Sequence, residues 1–283
     1  MKSLLNLVGN TPVVHVDCDL PTPQPGFLAK LEAVSVGGMK ARAALSMLQG
    51  ARARGELAPG APVVESTSGT LGIGLAFAAC SLGHPLTLVV DADLEPPMRA
   101  LLTAYGARLE IVPLPHVTGG WQDARLRRVR AVLDRDPRCY WPDQYNNPDN
   151  IRGYTSLADE LVKQVPGVDV LVCSVGTGGH SAGIVGALRR RWPGVRLVGV
   201  DSVGSTIFGQ PARARLMRGL GSSIHPATWP IRSSTRCTGS GRSRPSAPAR
   251  NWQARPSSLA AGAREVLRLS RPGWRASKPG RGC

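Results

Sequence analysis

The chain has 283 residues and a hydrophobic share of 42%, enough to bury a sizeable core. Its longest apolar run, Leu71 to Cys80, is half of what a membrane-spanning helix needs, and no secretory signal is expected at its start, so anchored and exported proteins are set aside. A net charge of +16 suggests a nucleic-acid binder until it is divided: residues 228–283 hold eleven Arg, one Lys and one acidic residue, Glu265, which leaves residues 1–227 only mildly basic.

Taken in chain order, the stretch VSVGGMKARAALSML (34–48) places Lys40 just after two glycines and predicts a helix over 40–54. Lys40 reads either as a solvated lysine in a first helical turn or as a nucleophilic amine held in a cleft. Strands are predicted at 62–67, 86–92, 109–114, 168–175 and 195–201, and further helices at 70–82, 95–105, 119–135, 150–165 and 179–192. Short apolar strands alternating with helices indicate an α/β fold with parallel sheets covered on both faces.

After Pro226 neither period persists, and Arg, Ser, Pro and Gly dominate. One short helix is predicted at 258–269, and the rest of 227–283 is expected to be a basic, low-order tail. Only Trp229, Trp252 and Trp274 interrupt it, too few aromatics for a surface that stacks bases, so nucleic acid is not the expected partner. Six cysteines at 18, 80, 139, 173, 237 and 283 form no C-x-x-C pair, which suits reduced thiols in the cytoplasm better than disulfides or a metal site. Cys80 and Cys173 lie in apolar patterns and read as core.

Two glycine-bearing turns carry candidate chemistry. STSGTLG (66–72) follows a strand and opens an apolar helix; its four hydroxyls and free N–H groups suit a carboxylate, although capping a helix needs just one hydroxyl. SVGTGGHSAG (174–183) also runs from a buried strand into a helix, where backbone N–H groups can cradle a phosphate, although a plain β–α turn reads equally well. It is too compact for a G-x-G-x-x-G dinucleotide fingerprint, and no G-K-[ST] phosphate loop is present.

The order LVGNTPVV (7–14), Lys40, STSGTLGIGLA, DQYNNPDN (143–150) and GTGGHSAG resembles the fold-type II pyridoxal-phosphate enzymes, and within them the cysteine synthase and cystathionine β-synthase family. The resemblance covers residues 1 to about 226. It implies two α/β domains with pyridoxal 5'-phosphate between them: 1–40 with 149–226 as the larger, phosphate-binding one, and 41–148 as the smaller, substrate-carboxylate-binding one. It implies that Lys40 forms a Schiff base with the cofactor and moves the α-proton. Gly176, Thr177, Gly178, Gly179 and His180 would hold the phosphate, Thr70 would face the cofactor's 3'-oxygen, and Thr67, Ser68, Gly69 and Gln144 would grip the substrate carboxylate. The implied reaction is β-replacement on an activated serine (O-acetylserine- or O-phosphoserine-like) by a sulfur or amine nucleophile, giving cysteine or a related β-substituted alanine. β-Elimination or dehydration of serine or threonine is the alternative, as is an inactive truncated homologue. A homodimer is implied as well.

The chain departs from that family in several places. Thr70 and Leu71 stand where its carboxylate loop usually has Asn and Thr, and Ala41 precedes Arg42 where an acidic residue is usual. His180 replaces a threonine, and its charge is expected to vary with pH. A further strand and a serine facing the cofactor's pyridine nitrogen should follow residue 226; the nearest counterpart is Ser257 or Ser258. The switch to residues with GC-rich codons from about Ala227 suggests a change of reading frame. Translating the two other frames tests this, since one of them must then restore a strand–helix pattern with a serine-bearing turn.

Overall fold

The computed structural model describes residues 4–18, 26–209, 211–213, 215, 219–226, 236–240 and 266–268. Two sheets organise them. The smaller is all parallel, in the order β3 (Val63–Ser66), β4 (Leu86–Asp91), β5 (Arg108–Val112), and Tyr140 adds a parallel bridge beside Val63. The larger has six strands in the order β1 (Val13–Val16), β2 (Phe27–Lys30), β9 (Val266–Arg268), β6 (Val170–Ser174), β7 (Arg196–Ser202), β8 (Arg236–Ser240).

The α/β class holds, and the five predicted strands are β3 to β7. The larger sheet is mixed, however: β6, β7 and β8 are parallel, whereas β1–β2, β2–β9 and β9–β6 pair antiparallel. The predicted helices form as α1 (Lys40–Ala53), α2 (Thr70–Leu82), α3 (Pro96–Ala104), α4 (Gly120–Arg135) and α7 (Gly179–Arg191). The single helix expected over 150–165 is instead two, α5 (Pro148–Arg152) and α6 (Thr155–Gln164). Gly153, which follows α5, packs so closely on α1 that a Cβ there would sit 2.7 Å from the Arg42 carbonyl oxygen. Beyond Pro226, strand β8 follows where the periodicity had ended, and Val266–Arg268 is strand rather than part of a helix. The rest of the predicted helix and the Ser257 and Ser258 positions lie outside the described residues.

The main core runs between α1, α2, α6 and α7, with Met47, Leu48, Leu75, Leu157, Leu161, Ile184 and Leu188 fully enclosed. Burial stabilises each of these by about 1.5–3 kcal/mol relative to exposure. Cys173 is part of this core as expected, whereas Cys80 is exposed. Gly74 of α2 abuts the start of α1: a Cβ on it would stand 2.8 Å from the Ala41 nitrogen. This close approach anchors the turn that carries Lys40.

A buried ionic cluster fixes the same turn from the other side. Arg42 Nε bonds Glu32 Oε2 at 2.7 Å, and Arg42 Nη1 bonds Glu160 Oε1 at 2.8 Å. Lys30 Nζ reaches Glu160 Oε2 at 2.6 Å, the Thr11 hydroxyl donates to Glu32 Oε1 at 2.6 Å, and the Asn10 N–H donates to Glu160 Oε1 at 2.9 Å. The GNTP turn, β2, α1 and α6 are thereby joined through two carboxylates and two cations.

Candidate active site

The C-terminal ends of β3 and β6 lead into the two glycine-bearing turns, and both turns open on one cavity of about 880 Å³. Open α/β sheets place ligands at such strand ends. Of the eleven residues expected there, Lys40, Thr67, Ser68, Thr70, Gln144, Gly176, Thr177 and His180 line the cavity. Gly69, Gly178 and Gly179 do not line it; they bend the backbone beside it. Gly69 has φ +143° and Gly178 φ +83°, both in the region that favours glycine.

Lys40 is the first residue of α1 and lines the cavity. Burial lowers its amine from 10.5 to about 8, against a weaker upward pull from Glu65. A sizeable neutral fraction therefore exists near pH 7.5, which a nucleophile or base requires. His180 behaves differently from expectation. Burial and the nearby Lys40 push its imidazole down to about 3, against a hydrogen bond with the Ser174 backbone, so it stays neutral across physiological pH.

The carboxylate turn divides its hydroxyls between tasks. Thr67 Oγ1 accepts the N–H groups of Gly69 at 3.0 Å and Gly72 at 3.2 Å, capping α2. Ser68 and Thr70 remain half-buried on the cavity wall, and Leu71 adds apolar bulk there while only 3% exposed. Gln144 is buried beside them, with its Nε2 donating to the Ser66 carbonyl at 3.1 Å.

Several cavity residues had no sequence signal. Arg125 on α4 lines it and pairs with Asp91 at 2.5 Å. Arg215 lines it too, donating to the Ser223 hydroxyl at 3.0 Å, and among the described residues no carboxylate lies within ion-pair distance of it. Burial draws its guanidinium below the ordinary value, although Asp201 and Tyr145 oppose this. Tyr145, pushed up to about 12 by burial, keeps its phenol proton. On the cavity wall, Gln122 of α4 exchanges hydrogen bonds with the Ser222 hydroxyl at 3.2 and 3.3 Å and accepts the Ser223 N–H at 2.9 Å. Glu65, fully buried at the end of β3, was also missed; an acid inside an apolar strand was the signal available.

The residues present fit pyridoxal phosphate. The α7 N-terminus offers backbone donors behind Gly176 and Gly178, and the Ser174 hydroxyl, on the cavity wall, is buried with no hydrogen-bond partner among the described residues. Gly179 lets the start of α7 pack against Asn150, since a Cβ there would meet Asn150 Oδ1 at 2.3 Å.

Comparison with known proteins points the same way. The family described as "Pyridoxal-phosphate dependent enzyme" matches residues 4–256. An N-(2-amino-2-carboxyethyl)-L-glutamate synthase of Cupriavidus metallidurans is 37% identical over 228 residues, 80% of this chain and 67% of that protein. A cysteine synthase of a Flavobacterium species is 32% identical over 235 residues, 81% of this chain and 75% of that protein. Among solved structures, a hydrogen sulfide-producing enzyme from Fusobacterium nucleatum superposes with a TM-score of 0.77 at 25% identity, covering 85% of this chain and 79% of its own.

Proposed function

This chain belongs to the pyridoxal-phosphate dependent enzymes, with cysteine synthase-like relatives, and on that premise we propose that it carries out β-replacement on an activated serine. The observation that carries this reading is the convergence of Lys40, with its lowered amine pKa, and both glycine-bearing turns on one cavity. When bound, the cofactor supplies an electron sink conjugated to the substrate's α-carbon.

The protein's own groups divide the remaining work. In this reading the neutral Lys40 amine holds the cofactor, takes the proton from the substrate's α-carbon and returns it. The backbone N–H groups of Gly176–Gly179, with Thr177 and the neutral His180, hold the phosphate. Ser68, Thr70, Gln144 and the N-terminus of α2 hold the substrate carboxylate, with Thr67 and Gly69 shaping that turn. The division of the chain into residues 41–148 around the smaller sheet, and 1–40 with 149–226 around the larger, follows from the same reading.

Arg215 supports an anionic leaving group, as on an O-phosphoserine-like substrate, because a half-buried guanidinium that makes no ion pair among the described residues gains most from a ligand phosphate. Arg215→Gln is expected to lower kcat/KM for O-phosphoserine by about tenfold or more, and for O-acetylserine by no more than about twofold. Equal losses on both would remove Arg215 from leaving-group recognition. For the nucleophile we favour an amino acid's amine over sulfide, on the product named for the 37%-identical relative and on Arg213 and Arg215 at the cavity wall. Mass spectrometry of the product after incubation with each nucleophile decides this, and pyruvate release with neither would show β-elimination instead.

We also propose that two copies pair and that the enzyme works in the cytoplasm. Sedimentation should then give twice the chain mass of 29.9 kDa, and a single-chain mass would exclude pairing. Cys18, Cys80, Cys139 and Cys173 are free thiols, and among the described residues no helix is long and apolar enough to cross a membrane.

A further inference from the structure

Glu65 stands on β3 one position before the Ser66–Gly69 turn, and it is 0% exposed. Its carboxylate accepts three hydrogen bonds: from the Ser66 N–H at 2.7 Å, from Trp141 Nε1 at 3.0 Å, and from the Gln144 N–H at 3.1 Å. Gln144 Nε2 in turn donates to the Ser66 carbonyl, which closes a ring between two segments distant in sequence. Strand pairing does not need this group, because β3 is already bonded to β4 on one side and bridged to Tyr140 on the other. A buried carboxylate costs several kcal/mol in desolvation that an apolar side chain would not.

We infer that Glu65 is a positioning residue, which locks Gln144 and the Ser66–Thr70 turn into the one arrangement that grips the substrate carboxylate. This rests on the proposed function, which assigns that carboxylate to these two segments. A neutral acid holds these three donors more weakly, because its hydroxyl oxygen is a poor acceptor and its proton must turn away from the N–H that faces it.

The arrangement has a pH consequence. Burial raises the Glu65 carboxyl to about 7, against the bonds from Trp141, Ser66 and Gln144, and Asp143 pushes it further up. The other titratable groups that face it are Lys40, at the start of α1, and Tyr145, which follows Gln144. Ionised Glu65 holds the ring above about pH 7, and substrate affinity falls as pH drops through that value. In cofactor-free protein a change near pH 8 belongs to Lys40, and it should move to lower pH without Glu65, which pulls that amine up.

The test titrates cofactor-loaded protein with L-serine over about pH 6 to 9, following the cofactor's absorption, in wild type, Glu65→Gln and Trp141→Phe. Expected in wild type is a loss of affinity below about pH 7. Glu65→Gln should bind about tenfold or more weakly at pH 8 and above, with kcat at saturation within about threefold and no acid limb. Trp141→Phe removes a donor that favours the ionised form, so its acid limb should move to higher pH. In cofactor-free protein, an infrared carboxylic-acid band should titrate near 7 and be missing from Glu65→Gln. Wild-type affinity and pH profile in folded Glu65→Gln would overturn the inference, and so would an unmoved limb in Trp141→Phe if Glu65→Gln does not fold. Failure of wild type itself to take up the cofactor would overturn the proposed function, whereas the infrared titration reads Glu65 independently of it.

Discussion

Lys40→Ala is expected to abolish the visible absorption band that the wild-type chain develops with pyridoxal phosphate, and to reduce β-replacement by a factor of about 10³ or more. The size follows from two losses at one atom. The substitution removes the amine that holds the cofactor, and it removes the base whose pKa of about 8 is matched to neutral solution. No neighbour can substitute for it. His180 lines the same cavity, but burial holds it neutral with a value near 3, too weak a base for an α-proton. Lys30 is enclosed in the ionic cluster against Glu160. Spectra of both proteins with added cofactor, followed by rates with O-phosphoserine and O-acetylserine, check this. A wild-type band that survives in Lys40→Ala would move the cofactor to another amine, and no band in folded wild type would end the active-enzyme reading.

The second large effect is on stability. Arg42→Ala is expected to destabilise the fold by about 3–5 kcal/mol, because it leaves Glu32 and Glu160 facing each other with one cation removed. That is a large part of the roughly 5–15 kcal/mol by which a domain is stable. Arg42→Lys should recover only part of the loss, since an ammonium cannot bond both carboxylates through a planar fork. The cluster also sets an acid limit. Desolvation pushes the Glu160 carboxyl up, yet the bonds from Arg42, Lys30 and the Asn10 N–H together carry it down to about 2. A depressed carboxylate contributes fully above its ordinary 4.5, and that contribution disappears as pH falls from there towards 2. Denaturant melts at neutral and acid pH measure both effects. A loss below about 1 kcal/mol for Arg42→Ala would mean the cluster is not what secures the turn bearing Lys40.

Much of this architecture was legible from periodicity. Strands β3 and β4 are mostly apolar runs buried almost throughout, β6 and β7 alternate buried with half-buried residues, β5 is largely half-buried or exposed, and α2 is so apolar that it had to lie inside. The N-terminal hairpin was not legible: VVHV and FLAK are four residues each, mostly half-buried, and show neither alternation nor a continuous apolar run. The division between α5 and α6 was equally hidden, because one glycine inside a helical pattern is compatible with an unbroken helix. At the site, the glycine-bearing turns and Lys40 stood out because motif order supplied what single residues could not. Glu65, Arg215 and Gln122 did not, since their meaning comes from partners on other segments. Thr67 was read for its hydroxyl, whose oxygen also accepts two N–H groups at the start of α2, and His180 for a charge that burial removes.

The Gln122 contacts to Ser222 and Ser223 join α4, which packs on the smaller sheet, to the loop that follows β7. Three such bonds, each contributing about 1 kcal/mol net, tie together the two segments that carry Arg125 and Arg215 on the cavity wall.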